Sequence, residues 1–130
     1  MRLDPKNLRR VGVFQEASDA DLALLVEKGI LRSIEEGEFF FFQGDPAVYF
    51  YILVSGKAKL LQSNPSGQQV NLRTINEWEM FGALGISKPN ANYPATAQAL
   101  ESSTVLAIES KFMQTMLEAR PQIAFGLMNL

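Results

Sequence analysis

Hydrophobic residues fall in short runs through the middle of the chain and at helical spacing near both ends. Between positions 31 and 109, stretches rich in Phe, Tyr, Ile, Val and Leu alternate with Gly, Pro, Asn and Ser. Short runs bounded by such residues are typical of strands. They predict strands near 39–42, 48–54, 57–62, 68–75, 95–100 and 104–109. This even spacing indicates a β-sandwich or a jelly-roll barrel.

Two turns are expected between these strands. Ser55 and Gly56 form a plausible two-residue hairpin turn. Positions 64–67 read Asn-Pro-Ser-Gly, a longer turn in which Gly67 can adopt a positive φ.

The first helix is predicted directly after Ser18. Asp21 follows three residues later, which is the spacing of a capping box. The usual last residue is Glu or Gln, so Asp21 makes a weaker version of this motif. Gly29 is expected to end the helix in a left-handed conformation. Before it, residues 8–14 should form a short helical turn that packs Val11 and Phe14 inward. The apolar face of the helix consists of Leu22, Leu25 and Val26.

A second helical region is predicted from Ser110 onward, with Ser110 as its cap. Pro121 should break this helix or begin a new one. The helical spacing rests on Phe112, Met113, Met116 and Leu117, and an apolar stripe continues through Ile123, Leu127 and Leu130. Because this stripe reaches the last residue, we expect more helix downstream in the natural protein.

Composition narrows the possible functions. The 130 residues contain no Cys and no His, and the formal net charge is −2. A jelly-roll metalloenzyme, a haem sensor and an iron–sulfur sensor would each lack their usual ligands. No enzymatic activity, metal site or resident cofactor is therefore predicted. The acidic charge disfavours nucleic-acid binding by this segment itself. No apolar run is long enough to cross a membrane, so a cytoplasmic location is expected.

The central strands also resemble a known family. Residues 37–45 read GEFFFFQGD and residues 50–60 read FYILVSGKAKL. With the segments EMFG at 79–82 and ATAQA at 95–99, they resemble the cyclic-nucleotide-binding domains of Crp–Fnr transcriptional regulators. The resemblance covers nearly the whole chain from Phe14 onward and rests on the ordered set rather than on one motif.

That resemblance implies a mainly β fold with flanking helices, namely the double-stranded β-helix (jelly roll) of cyclic-nucleotide-binding proteins. It implies one effector domain over 1–130, with a helical flank at 1–30, the jelly roll at 31–109 and C-terminal helices at 110–130. In the family a long dimerisation helix and a helix-turn-helix domain follow. We therefore expect a homodimer through a helix after Leu130, and DNA contact only through a domain outside this chain.

The family's phosphate-binding cassette is altered in this sequence. The family binds the cyclic phosphate with an Arg and neighbouring hydroxyls, and the ribose with a Glu. By position, Ala83 stands in the Glu place, Tyr93 in the Arg place and Pro94 in the hydroxyl place. Ala83 accepts no hydrogen bond, and Tyr93 can donate one neutral hydrogen bond. The groups that remain to bind an anion are the backbone N–H groups around Gly82 to Gly85 and the Thr96 hydroxyl.

Arg73 could supply a relocated positive charge. It lies on the strand before the cassette, and alternation places Leu72 and Thr74 on the opposite face. Arg73 either points inward toward an acidic ligand or is solvated. Carried over by position, the ligand-binding residues are predicted to be Leu72, Arg73, Phe81, Gly82, Ala83, Leu84, Tyr93, Pro94, Ala95 and Thr96.

Three functions are compatible with this sequence. The first is an effector-sensing domain whose small-molecule ligand is not standard cAMP and is coupled to a dimer helix. The second is a ligand-free scaffold or interaction module. The third is a true cyclic-nucleotide binder with a relocated anchor.

Overall fold

The structure, a computed structural model, describes residues 2–123. Two short 3₁₀ helices, Pro5–Arg10 and Gly12–Phe14, precede helix α1, Asp19–Lys28. The predicted cap is confirmed, because Ser18 Oγ accepts a hydrogen bond from the Asp21 backbone N at 3.1 Å. Val11 and Phe14 are buried, as the sequence predicts.

Eight antiparallel strands follow in two four-stranded sheets. The first sheet has the order β1-β8-β3-β6 and the second the order β2-β7-β4-β5. This arrangement confirms the predicted jelly roll. All six predicted strands are present, together with β1, which the sequence did not predict, and the short β6. The strands are β1 Ile30–Ile34, β2 Phe39–Phe41, β3 Tyr49–Ser55, β4 Ala58–Ser63, β5 Gln69–Ile75, β6 Met80–Phe81, β7 Thr96–Ala99 and β8 Ser103–Glu109.

The turn predictions had different outcomes. The 64–67 turn joins β4 to β5, and Gly67 has a φ of 85°. The prediction of a hairpin at Ser55 and Gly56 was wrong, because β3 and β4 lie in different sheets. The chain crosses from one sheet to the other here. Gly56 has a φ of 102°, and a side chain at this position would collide with Ser103.

Two predicted helix ends were also wrong in detail. Gly29 has a φ of −78°, so it is extended rather than left-handed. The position requires glycine for lack of space, because a Cβ there would lie 2.6 Å from Leu106 Cδ1. Ser110 is the first residue of α3, Ser110–Ala119, and its cap position belongs to Glu109. The Ser110 hydroxyl instead donates to the Ala47 carbonyl at 3.3 Å.

Helix α3 ends two residues before Pro121, and residues 121–123 are helical again, as predicted. The predicted apolar positions Leu127 and Leu130 lie outside the described residues. Helix α2, Leu84–Ser87, is a single turn after β6. Within residues 2–123, none of the helices combines the length and the apolar character needed to span a lipid bilayer.

The core has two layers on either side of the first sheet. One layer lies between that sheet and the helices, and it includes Phe14, Leu22, Leu25, Phe50, Leu106 and Met113. The other fills the space between the two sheets, and it includes Phe41, Tyr51, Leu53, Ile75, Phe81, Tyr93 and Val105. Alternation along β3 and β8 places successive residues in different layers. The second layer is the interior of the barrel.

Candidate ligand-binding site

The two segments of the predicted cassette meet inside the barrel. Gly82 follows β6 with a φ of 71°, a conformation that glycine adopts without steric cost. A Cβ at this position would lie 2.9 Å from Phe41 Cε2 and 3.3 Å from Tyr93 Cε1. Gly82 therefore permits both rings to approach the backbone where β6 leads into α2.

Tyr93 fills space in the barrel interior. Its side chain is buried, and its ring stacks on Phe41 with a centroid separation of 3.8 Å and an interplanar angle of 15°. Phe41 in turn packs against Tyr51 and Phe81, with centroid separations of 5.6 and 6.1 Å. A ligand that entered this part of the barrel would have to displace the Tyr93 ring or bind beside it.

The Tyr93 hydroxyl is bound to the protein's own backbone. It donates to the Tyr49 carbonyl at 2.6 Å and accepts from the Tyr49 N–H at 3.3 Å. The Ser110 N–H donates to the Val48 carbonyl at 2.8 Å, which makes Tyr49 and Glu109 a non-hydrogen-bonded pair. The Tyr49 amide groups consequently point away from β8 and toward Tyr93. Burial raises the pKa of Tyr93, so its phenol is neutral at physiological pH.

Residues 80–87, which include α2, offer no charged side chain. Ala83 packs against the core layer on the helix side, and Leu84 is exposed. Phe81 is buried between the sheets, with its ring 5.2 Å from that of Phe40 in an edge-to-face arrangement. The Ala83 methyl group can neither accept a hydrogen bond nor carry a charge.

The segment that leads into β7 is tied to neighbouring strands. The Pro94 carbonyl accepts a hydrogen bond from Gln62 Nε2 at 3.0 Å. Ala95 is buried. Thr96 Oγ1 accepts from the Gln43 N–H at 2.8 Å, which leaves its own hydroxyl proton for another partner.

Arg73 lies at the surface rather than beside Tyr93. Its side chain is 44% exposed, and Nη1 lies 3.5 Å from Glu79 Oε2. Its Nη2 donates to the Met80 carbonyl at 3.3 Å. Leu72 is 48% exposed. These contacts correspond to the solvated alternative for Arg73, with its charge partly neutralised by Glu79.

A different arginine lies on the barrel side of the first sheet. Arg32 pairs in register with Val105, and Ile30 pairs with Ala107. Val105 and Ala107 both belong to the inter-sheet core, so Ile30 and Arg32 share that face. The Arg32 Cζ atom lies 5.1 Å from the centre of the Tyr49 ring. Sequence reasoning missed this residue because β1 itself was not predicted.

The fold defines the class of this protein as a jelly-roll domain of the cyclic-nucleotide-binding type. The family model described as "Cyclic nucleotide-binding domain" matches residues 31–120. The chain belongs to the cyclic nucleotide-binding domain family.

Several similar proteins are transcriptional regulators. The chain is 30% identical over 115 residues to the global nitrogen regulator of Synechococcus elongatus, covering 86% of this chain and 49% of the relative. It is 28% identical over 125 residues to the CRP-like cAMP-activated global transcriptional regulator of Mycobacterium tuberculosis, covering 95% and 54%. The chain thus spans about half the length of these curated relatives.

Among solved structures, the sensor domain of the transcriptional regulator DNR from Pseudomonas aeruginosa matches with a TM-score of 0.87 and 30% identity. The match covers 95% of this chain and 83% of that domain. These relatives confirm the resemblance to Crp–Fnr regulators that the sequence predicted.

Proposed function

We propose that this chain is the effector-sensing domain of a Crp–Fnr-type transcriptional regulator, and that its effector is not cAMP or cGMP bound in the family's usual way. The observation that carries the second part is the place of Tyr93. Its ring is stacked on Phe41 and its hydroxyl is bound to Tyr49, where the family offers a cation to a phosphate.

The energetic cost of the altered cassette supports this proposal. A hydrogen bond to a charged group contributes about 1.5–3 kcal/mol. Ala83 and Tyr93 replace two such anchors, so cyclic nucleotides should bind weaker by about two to four orders of magnitude. The half-exposed Arg73, already paired with Glu79, offers little compensation.

A route from the barrel to α3 is available for coupling. Tyr49 is the first residue of β3, and the carbonyl of the preceding residue, Val48, accepts the backbone N–H of Ser110, the first residue of α3. Tyr93 contacts the neighbouring Tyr49 backbone. In this proposal a ligand that moves Tyr93 shifts α3, and thereby a dimer helix and the DNA-binding domains of a cytoplasmic homodimer.

Calorimetric titration of cAMP and cGMP into this domain tests the choice of ligand. We expect no measurable heat at about 1 mM nucleotide. Arg73→Ala serves as the matched variant. Micromolar binding that is lost in Arg73→Ala would overturn the proposal in favour of a nucleotide binder with a relocated anchor.

The sensing role has its own test in the regulator that carries this domain. Compounds that raise its melting temperature are selected from a metabolite panel, and DNA affinity is then measured with and without each. At least one is expected to change DNA affinity. If no compound that raises the melting temperature alters DNA affinity, the sensing role is refuted in favour of a scaffold or interaction module.

A further inference from the structure

The barrel side of the first sheet is incompletely covered at β1. Ile30 is 48% exposed although its register partner Ala107 is buried. Arg32 is half-buried on the same face. Ala107 also pairs with Tyr51 of β3, so its small side chain lies in the row between Ile30 and Tyr51. An apolar surface and a cation thus lie side by side on the open edge of the barrel.

Stacking of the guanidinium plane positions Arg32, rather than hydrogen bonds from its nitrogen atoms. The guanidinium lies over the Tyr49 ring, an arrangement that fixes the side chain and leaves the N–H edge available. Within residues 2–123, the three ion pairs involve Arg9, Arg73 and Arg120. Over the same residues, the Arg32 guanidinium donates no hydrogen bond to a protein acceptor.

The surroundings of Arg32 are continuous with the aromatic interior. Tyr49, which stacks with Arg32, is also the residue whose backbone binds the Tyr93 hydroxyl. Burial raises the pKa of Tyr51, and the positive charge of Arg32 acts against that rise. Arg32 is therefore joined to the aromatic interior through the Tyr49 ring.

We propose that Arg32, stacked on the Tyr49 ring, binds the carboxylate of a small organic acid whose apolar part lies against Ile30. The inference rests on the proposal that the barrel senses a small molecule, and it names the ligand class. A guanidinium edge matches a carboxylate with two parallel hydrogen bonds. A single cation suits a monoanion better than a doubly charged phosphate, and the exposed Ile30 suits an apolar body.

The test uses hexanoate as the probe, followed by NMR of the isotopically labelled chain. Hexanoate is expected to shift the Arg32 side-chain Nε–H and the amide resonances of Ile30 and Tyr49, with a dissociation constant of about 1 mM. The matched ligand 1-hexanol has the apolar chain without the charge and should leave Arg32 unshifted. Inorganic phosphate has the charge without the apolar chain and should bind more weakly than hexanoate.

Arg32→Gln should weaken hexanoate binding at least about tenfold, because the charged pair is lost. Arg10→Gln is the matched control, since the Arg10 guanidinium also lies over an aromatic ring, Trp78, at 5.5 Å but outside the barrel. It should bind hexanoate like the wild type. Arg32→Lys, which keeps the charge, should recover part of the affinity and so separates lost binding from lost folding.

Three results would overturn the carboxylate site: hexanoate binding that is unchanged in Arg32→Gln, shifts centred away from β1, or the absence of binding by hexanoate. Phosphate binding as tight as hexanoate would refute the organic-acid class. None of these results decides whether the domain senses an effector, since the DNA-affinity measurement does so independently.

Discussion

The hydrogen bond between Tyr93 and Tyr49 gives a sharp prediction about stability. Tyr93→Phe removes one oxygen atom and keeps the ring that stacks on Phe41. The hydroxyl is buried, it donates at 2.6 Å, and it also receives the Tyr49 N–H. Both Tyr49 backbone groups point away from β8, so β8 cannot provide replacement partners. Leaving buried polar groups without partners costs about 1–3 kcal/mol.

We therefore expect Tyr93→Phe to lower the free energy of unfolding by about 1–2 kcal/mol, or the melting temperature by about 4–8 °C for a domain of this size. Urea unfolding followed by circular dichroism measures the effect as a shift in midpoint at constant slope. Tyr51→Phe is the matched control. Its hydroxyl reaches the Phe40 carbonyl only at 3.5 Å, so its loss should cost about 0.5 kcal/mol or less.

Equal losses in the two variants would refute this reasoning, because they would mean that the Tyr93 contact contributes no more than a marginal one. A changed slope would instead indicate that the substitution alters the compactness of the native or unfolded state.

Two further predictions concern the same interior. Burial raises the pKa of Tyr93 above its ordinary value of 10.0, so above that pH the unfolded chain loses the proton before the folded one does. The stability that this proton contributes should be constant below pH 10 and fall above it, so the decrease should be less steep in Tyr93→Phe. Urea midpoints at a series of pH values measure this decrease. Parallel pH curves for the wild type and the variant would contradict the prediction. Gly82→Ala places a Cβ 2.9 Å from Phe41 Cε2 at a φ of 71°, and should destabilise by about 1–3 kcal/mol in thermal unfolding. Gly12→Ala, which meets nothing within 4 Å, should change stability by less than about 0.5 kcal/mol, and comparable losses at both glycines would argue against the close approach.

Features set by neighbouring residues were predictable from the sequence. The Ser18 cap and the Gly67 turn each depend on a few consecutive residues, and both are present. The turn at Gly56 was assigned to the wrong structure because its residues specify a reversal but not the sheet that the next strand joins. The close approach of Gly56 to Ser103, which is distant in sequence, is likewise not encoded by the neighbouring residues.

The candidate site also has a part that the sequence predicted and a part that depends on contacts between distant residues. The places of Ala83 and Tyr93 in the cassette followed from the family resemblance. The inward stacking of Tyr93 depends on Phe41 and Tyr49, which come from two other strands. The position of Arg32 on the barrel face depends on β1 pairing with β8, and a five-residue strand with two polar positions gives little local signal of that pairing.

The pairing of β1 with β8 also has a consequence for biosynthesis. Ile30 and Ala107 are direct partners, although nearly the whole barrel lies between them in the chain. The first sheet therefore cannot close while the ribosome is still making the later strands. Non-local closure of this kind slows folding and leaves strand edges unpaired for longer. We expect the nascent domain to depend on chaperones until β8 has left the ribosome exit tunnel.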